Sequence, residues 1–206
     1  LPEELHGHHG CVMCWCYTGP QEDAEAVFKE IRAQGTLVLD LAGPMPYPEL
    51  QGMFDQIFYP PGLQWYWKAD FVKEMTDEAI EIHKQYGSEM PTELCTMHLY
   101  PIDGAVHDVD EKDTAFSYRD VTWSRVIVGV DGDPVNNDEI CTWAKDYWEQ
   151  LHPFSAGGAY VNFMMDEGEE RVKATYRNNF DRLQQVKAKY DPDNFYWNFC
   201  LRLCRE

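Results

Sequence analysis

Gly157-Gly158-Ala159-Tyr160-Val161-Asn162-Phe163-Met164 is the stretch whose reading decides the fold. Read as a strand, it sends Ala159, Val161 and Phe163 to one face and Tyr160 and Asn162 to the other, because successive side chains alternate. The first set suits a core. The second places a phenol and a carboxamide side by side, next to two glycines that let a backbone or a flat ligand come close. An acidic turn follows, then an amphipathic segment from Glu169 to Tyr190, closed by Asp191-Pro192-Asp193-Asn194.

Working outward, Ile140, Trp143, Ala144, Tyr147, Trp148 and Leu151 recur at helical spacing. Before them, Val121 to Val130 reads as a long strand closed by Asp131-Gly132-Asp133-Pro134. Residues 93–100 and 104–109 read as a hairpin around Pro101-Ile102-Asp103-Gly104. Thr76 is a plausible N-cap and Gly87 a plausible stop for a helix with Ala79, Ile82, His83 and Tyr86 on one face. Leu63 to Lys68 reads as a strand after Tyr59-Pro60-Pro61-Gly62. Further upstream, Leu50, Met53, Phe54 and Ile57 mark a short helix entered through Pro48, and Thr36 to Leu41 a strand. Ala24, Val27, Phe28 and Ile31 mark a helix, and Cys11 to Tyr17 a buried strand.

About seven strands and five or six helices, with hairpin neighbours mixed with helix-joined ones, predict an α+β fold. The expected form is one domain over residues 1–206, a largely antiparallel sheet with helices packed on one face. The other face, carrying Tyr160 and Asn162, would then be an exposed aromatic patch unless it meets a ligand or another domain.

Composition bounds the function. A chain of 206 residues with 44% hydrophobic residues can bury a sizeable core. A net charge of -19 repels polyphosphate, so neither nucleic acid nor an anionic membrane is an expected partner. No apolar run approaches the ~20 residues of a membrane span, and no leader pattern precedes Leu1. The opening Leu-Pro-Glu-Glu suggests a start within something longer. Seven cysteines without framework spacing, and no Asn-x-Ser/Thr acceptor, lean toward a cytoplasmic, bacterial protein with reduced thiols.

The order of motifs resembles the second half of the berberine-bridge-enzyme-like family of FAD-linked oxidases. His152-Pro153-Phe154 followed by Gly157-Gly158-Ala159-Tyr160-Val161-Asn162-Phe163 is the nearest match, with Asp191-Pro192-Asp193-Asn194-Phe195 after the last helix. Pro46-Tyr47-Pro48-Glu49-Leu50-Gln51, Tyr66-Trp67-Lys68 and Ala115-Phe116-Ser117-Tyr118-Arg119-Asp120 resemble further family segments. The resemblance implies the substrate-binding domain of an FAD-dependent oxidoreductase that oxidises an alcohol, sugar or phenolic small molecule. A base removes a proton while hydride passes to flavin. Tyr160 matches the base, Asn162 and Asn198 match positions that contact flavin, and Lys68, Tyr118 and Arg119 are the substrate-side candidates. The family's FAD-binding half is absent from these residues, and with it any Gly-rich phosphate loop. FAD is therefore not expected to be retained by this chain, which is expected to be inactive alone.

Three departures stand out. Family members usually carry His where Tyr118 stands, and the usual ending is replaced after Asn198 by Phe199-Cys200-Leu201-Arg202-Leu203-Cys204-Arg205-Glu206. A polar residue that assists the base in other members falls at Val126 or Ile127. A phenol of ordinary pKa, near ~10, needs a nearby cation or donor to act as a base, and Lys68 and Arg119 are the candidate cations.

Other readings compete. Cys11-x-x-Cys14-x-Cys16 after His6, His8 and His9 suggests zinc, but residues three apart on a strand face opposite ways, so no metal is expected. Asp166-Glu167-Gly168-Glu169-Glu170 reads as a solvated helix start rather than a calcium loop. The alternative function is a stand-alone ligand-binding or self-associating domain. Its open face would then make a homodimer, where the first reading has it meet the missing FAD-binding half.

Overall fold

A computed structural model describes residues 2–55 and 61–196. Contacts divide the chain into two units, Leu1–Pro61 and Gly62–Glu206. The second holds a three-stranded antiparallel sheet in the order β1-β3-β2: β1 (Gln64–Val72), β2 (Thr96–Pro101) and β3 (Trp123–Asp131). β3 is central and is buried from Ser124 to Val130, as its valine- and isoleucine-rich sequence suits.

Strand alternation sorts the sheet into two faces. Tyr66, Lys68, Asp70, Arg125, Ile127 and Met97 point one way. Trp65, Trp67, Ala69, Val126, Val128, His98 and Tyr100 point the other.

Helices cover the first face. α3 (Asp77–Ser88) starts at Thr76, whose hydroxyl accepts a hydrogen bond from the Ala79 amide at 3.2 Å, the cap its position predicts. α4 (Asn137–Leu151) buries Ile140, Trp143, Ala144, Tyr147 and Leu151 against Ile127 and Ala79. The helix approaches the strand so closely that a Cβ at Gly129 would meet the Ile140 carbonyl oxygen at 2.7 Å, which only glycine avoids. After α4 the chain reaches α5 (Glu169–Tyr176) and α6 (Phe180–Tyr190). Arg177 stands between these two helices at a φ of +45.

The sheet is the main correction to the sequence reading. The fold is α+β and its sheet antiparallel, but the described residues form three strands rather than about seven. Residues 104–109 do not return as a hairpin partner, because a 3-10 turn at Gly104–Val106 intervenes and β2 pairs with β3 instead. The Tyr160 segment is not a strand either. Gly157 takes a φ of +93, and Val161–Phe163 closes a 3-10 turn in which the Phe163 amide donates to the Tyr160 carbonyl at 2.9 Å.

In the Leu1–Pro61 unit, 3-10 turns at Glu3–Leu5 and Gln21–Asp23 precede α1 (Ala24–Arg32) and α2 (Tyr47–Gly52). Arg32 bridges Asp40 at 2.6 Å and Glu25 at 3.1 Å. The expected strands at 11–17 and 36–41 are irregular backbone, and Cys11, Cys14 and Cys16 are exposed rather than buried. A strand needs a ladder partner for its amides, and none of the described residues of this unit supplies one. Ile57 of the expected short helix lies outside the described residues, as do Asn198 and the tail beyond it.

One part-buried pair carries a pH dependence. The His83 Nδ1 lies 2.6 Å from the Tyr147 hydroxyl. Burial, reinforced by the Arg125 charge, lowers the His83 pKa from 6.5 to about 4, while burial raises that of Tyr147. A depressed folded-state value means stability that is complete above pH 6.5 and lost as pH falls through 4. A His83→Gln variant should therefore lose less stability than the wild type between pH 6.5 and 4, by about 2 kcal/mol for a ring still partly solvated. Urea unfolding at several pH values measures the difference.

Candidate functional site

The Tyr160 segment leaves the end of α4, runs beside β1 and folds onto the uncovered sheet face. The Phe71 amide donates to the Gly158 carbonyl, and the Ala156 amide to the Phe71 carbonyl, both at 2.7 Å. Ala159 is fully buried against Ala69, Val126, Val128 and Val130, with Phe163 and Met164 packed around it. With Ala159 buried, Tyr160 and Asn162 further along are left exposed. The 3-10 turn then folds one toward the other, and the Asn162 Nδ2 donates to the Tyr160 hydroxyl oxygen at 2.8 Å. Tyr160 is 36% exposed.

The pair therefore comes together through a turn, where strand alternation had predicted it. Around it lies an aromatic surface. Phe163 sits 5.2 Å from both the Tyr160 and Tyr100 rings and 6.0 Å from Trp67, which is itself 6.0 Å from Trp65. His98 Nδ1 is 2.9 Å from the Tyr100 hydroxyl, and burial lowers the His98 pKa, which favours a neutral imidazole. Sequence reasoning missed His98 and Tyr100. Val126 has no proton to move, but its cross-strand partner on the same face is His98. Only the strand register reveals that neighbour.

The other site candidates lie elsewhere. Lys68 is on the helix-covered face, bridged to Glu167 at 3.1 Å and 4.8 Å above the Trp148 ring. Arg119 donates to the Val106 carbonyl at 3.0 Å and to Thr114 Oγ1 at 2.7 Å. Tyr118 is buried, stacked on Phe71 at 4.3 Å with Arg177 on its ring, and its hydroxyl donates to the Ala174 carbonyl at 2.8 Å. A Cβ on Gly158 would meet that hydroxyl at 2.2 Å, so Tyr118 is a wall behind the Tyr160 segment. The structure thus brings Tyr160 and Asn162 together. Lys68, Arg119 and Tyr118 bond instead to Glu167, to Val106 and Thr114, and to Ala174, and Asn198 is outside the described residues.

Beneath the sheet lies a charge cluster no motif announced. Asp70 and Arg125 are cross-strand partners, both 0% exposed, and Arg125 Nη2 meets Asp70 Oδ2 at 3.2 Å. Burial lowers the Arg125 pKa, with Asp70 opposing the shift. Asp70 also meets Arg171 Nη2 at 3.2 Å and His152 Nδ1 at 3.1 Å. Arg171 Nε continues to Glu167 at 3.1 Å, which also holds Lys68. Among the described residues, no group of three or more His, Cys, Asp or Glu side chains is placed to hold a metal ion.

Residues 159–199, which include this pair and the helices after it, match the family model for berberine and berberine-like proteins. The resemblance to berberine-bridge-type FAD-linked oxidases is borne out. An FAD-linked oxidoreductase of Dictyostelium discoideum is 28% identical over 191 residues, covering 92% of this chain and 41% of the relative. Berberine bridge enzyme-like 28 of Arabidopsis thaliana is 28% identical over 155 residues, covering 63% of this chain and 29% of the relative. An uncharacterised FAD-linked oxidoreductase of Bacillus subtilis is 23% identical over 184 residues, covering 87% and 40%. These sources do not single out a bacterial origin.

Among solved structures, BBE-like 1 of Physcomitrella patens superposes with a TM-score of 0.69 at 18% identity, over 92% of this chain and 44% of that one. Aclacinomycin oxidoreductase superposes with a TM-score of 0.68 at 21% identity, over 88% and 42%. These establish a shared fold. The chain spans about two fifths of the length of the first relatives it matches. No helix among the described residues is long and apolar enough to cross a membrane.

The cluster makes a stability prediction. Asp70→Asn would leave Arg125 without its answering charge in a site closed to water, and should cost about 3–5 kcal/mol in urea unfolding. Lys173→Met, which breaks exposed bridges to Glu169 and Glu170 and a cation–π contact with Phe180 at 5.9 Å, should cost about 1 kcal/mol or less.

Proposed function

We propose that this chain is the substrate-domain portion of an FAD-dependent oxidoreductase that oxidises an alcohol, sugar or phenolic small molecule, with Tyr160 as the base. One observation carries the reading: the Tyr160 hydroxyl, bonded to the Asn162 amide, stands at the rim of an aromatic sheet face inside the segment that matches the family model. The relatives' FAD chemistry supplies the context, and the residues here supply the fit.

Bound FAD would provide the hydride acceptor. Trp67, Phe163 and Tyr100 offer an aromatic surface, tilted ring to ring by 31–39°, for an aromatic ring system, and Asn162 offers an amide donor and acceptor at its edge. The fit is to the ring alone. Lys68 and Arg125 point to the opposite face, so neither is available to a diphosphate on this one. On this reading the phosphates belong to the part of the relatives that the chain does not span, and the open face meets that part. The chain is then inactive alone.

The residues have separable tasks. Tyr160 takes the substrate proton. Asn162 keeps an N–H on the phenol oxygen, which as phenolate carries the negative charge that the incoming substrate proton neutralises. Phe163 holds the Tyr160 ring edge-on, and Trp67 and Tyr100 exclude water from the surface beside it.

The test is to graft this chain in place of the corresponding part of an FAD-linked relative and follow flavin bleaching by candidate alcohols and sugars. Tyr160→Phe should lower the bleaching rate 10²–10⁴-fold, the usual scale for loss of a positioned base, and leave the flavin spectrum intact. Equal rates in both proteins would overturn the assignment of Tyr160.

A further inference from the structure

We propose that Arg171 is a positioning residue that fixes Tyr160 through the carbonyl oxygen of Gly157, and that the buried Asp70 cluster on the helix-covered face of the sheet holds Arg171 in place. The functional meaning of that role rests on the reading of Tyr160 given above; the geometry does not.

Four acceptors converge on one guanidinium. Arg171 Nη1 donates to the Gly157 carbonyl at 2.7 Å, Nη2 to the Ala69 carbonyl at 2.8 Å and to Asp70 at 3.2 Å, and Nε to Glu167 at 3.1 Å. The plane also lies 5.3 Å from the centre of the Trp148 ring. Arginine alone presents donors in a rigid fork of this kind, and a lysine ammonium would keep the charge and lose most of the directions. The side chain is 14% exposed, so its bonds form largely out of water.

Arg171 does not touch Tyr160, and the chain between them has little slack. Gly157, at a φ of +93, turns the backbone so that its carbonyl meets Arg171, and its amide donates to Ser155 Oγ at 3.1 Å. Gly158 is clamped between the Phe71 amide and the Tyr118 hydroxyl. Ala159 is fully buried, with its amide donating to Thr175 Oγ1 at 3.4 Å. Tyr160 is the next residue. The Gly157 carbonyl sits at the turn, so its bond to Arg171 sets the direction in which Gly158, Ala159 and then Tyr160 leave it.

The same reasoning accounts for the cluster. An arginine aimed at a carbonyl in a poorly solvated site needs a fixed counter-charge. Asp70 provides it, and Arg125 and His152 hold Asp70 from two other sides. Glu167 supplies a second, four residues before Arg171 on the approach to α5. The helix-covered face thereby sets the position of a phenol on the opposite face.

The experiment uses the 206-residue chain with 13C-labelled tyrosine Cζ and 15N-labelled asparagine, the Tyr160 signal being assigned from Tyr160→Phe. Arg171→Lys, which keeps a cation opposite Asp70 and Glu167, should retain the fold by circular dichroism and displace both the Tyr160 Cζ signal and the Asn162 side-chain amide signal. Arg171→Met should displace them further. Lys173→Met, on the same helix, should leave both where they are. Unmoved signals in a folded Arg171→Lys protein overturn the proposal. So does loss of the fold in both Arg171 variants, since a positioning residue must be separable from the fold. If the signals move but the grafted Tyr160→Phe protein keeps its rate, the positioning stands and the reading of Tyr160 as base falls; the reverse pair of results removes the positioning alone.

Discussion

A carboxylate shut away from water must be answered by cations and hydrogen bonds, and Asp70 is answered from three directions. Arg125 comes from the neighbouring strand, His152 from the end of α4 and Arg171 from α5. Each partner belongs to a different stretch of chain, so this one group fixes the register of β1 on β3 and the exit from α4 together. It also fixes the approach of α5. Apolar packing alone would tolerate small slips among these elements, since methyl and ring contacts are not directional. A buried ion group does not tolerate them, because an unanswered charge in that place costs several kcal/mol.

The sheet then divides its labour. One face carries Ile127, Tyr66 and the charge cluster under α3 and α4, and its chemistry is internal. The other carries aromatic rings with polar tips, only partly covered by the Tyr160 segment. On that second face Asn162 bonds to Tyr160 and His98 to Tyr100. A surface of rings with its hydrogen-bonding groups gathered at the rim suits a flat partner. This is what the relatives' FAD-linked chemistry would ask of it.

How much of this the sequence revealed depends on how local each signal was. The α4 stripe and the Thr76 cap were legible because helical spacing and an N-cap are written within a few residues. The Asp70–Arg125 pair was not, because the two are 55 positions apart and nothing near either residue points to the other. Tyr160 and Asn162 were paired correctly for the wrong reason. Period-two alternation and a 3-10 turn both bring residues i and i+2 near each other, and the left-handed backbone of Gly157 decides between them. Lys68 was placed near Tyr160 by its neighbours in the motif, yet its parity on β1 sends it to the opposite face from Trp67. The excess of expected strands came from segments such as the continuous apolar run 11–17, whose composition is compatible with a buried strand but cannot supply the partner that a ladder requires.

The central claim is that the aromatic face carrying Tyr160 is the one that receives a flat ligand, while the face under α3 and α4 is structural. The most direct measurement is an indole 15N–1H spectrum of the chain during titration with riboflavin, which carries the flavin ring without the diphosphate that this chain is not expected to hold. The account predicts that the Trp65 and Trp67 signals move together and that those of Trp143 and Trp148 stay fixed. Movement confined to Trp143 and Trp148, or no movement at any of the four, would contradict it.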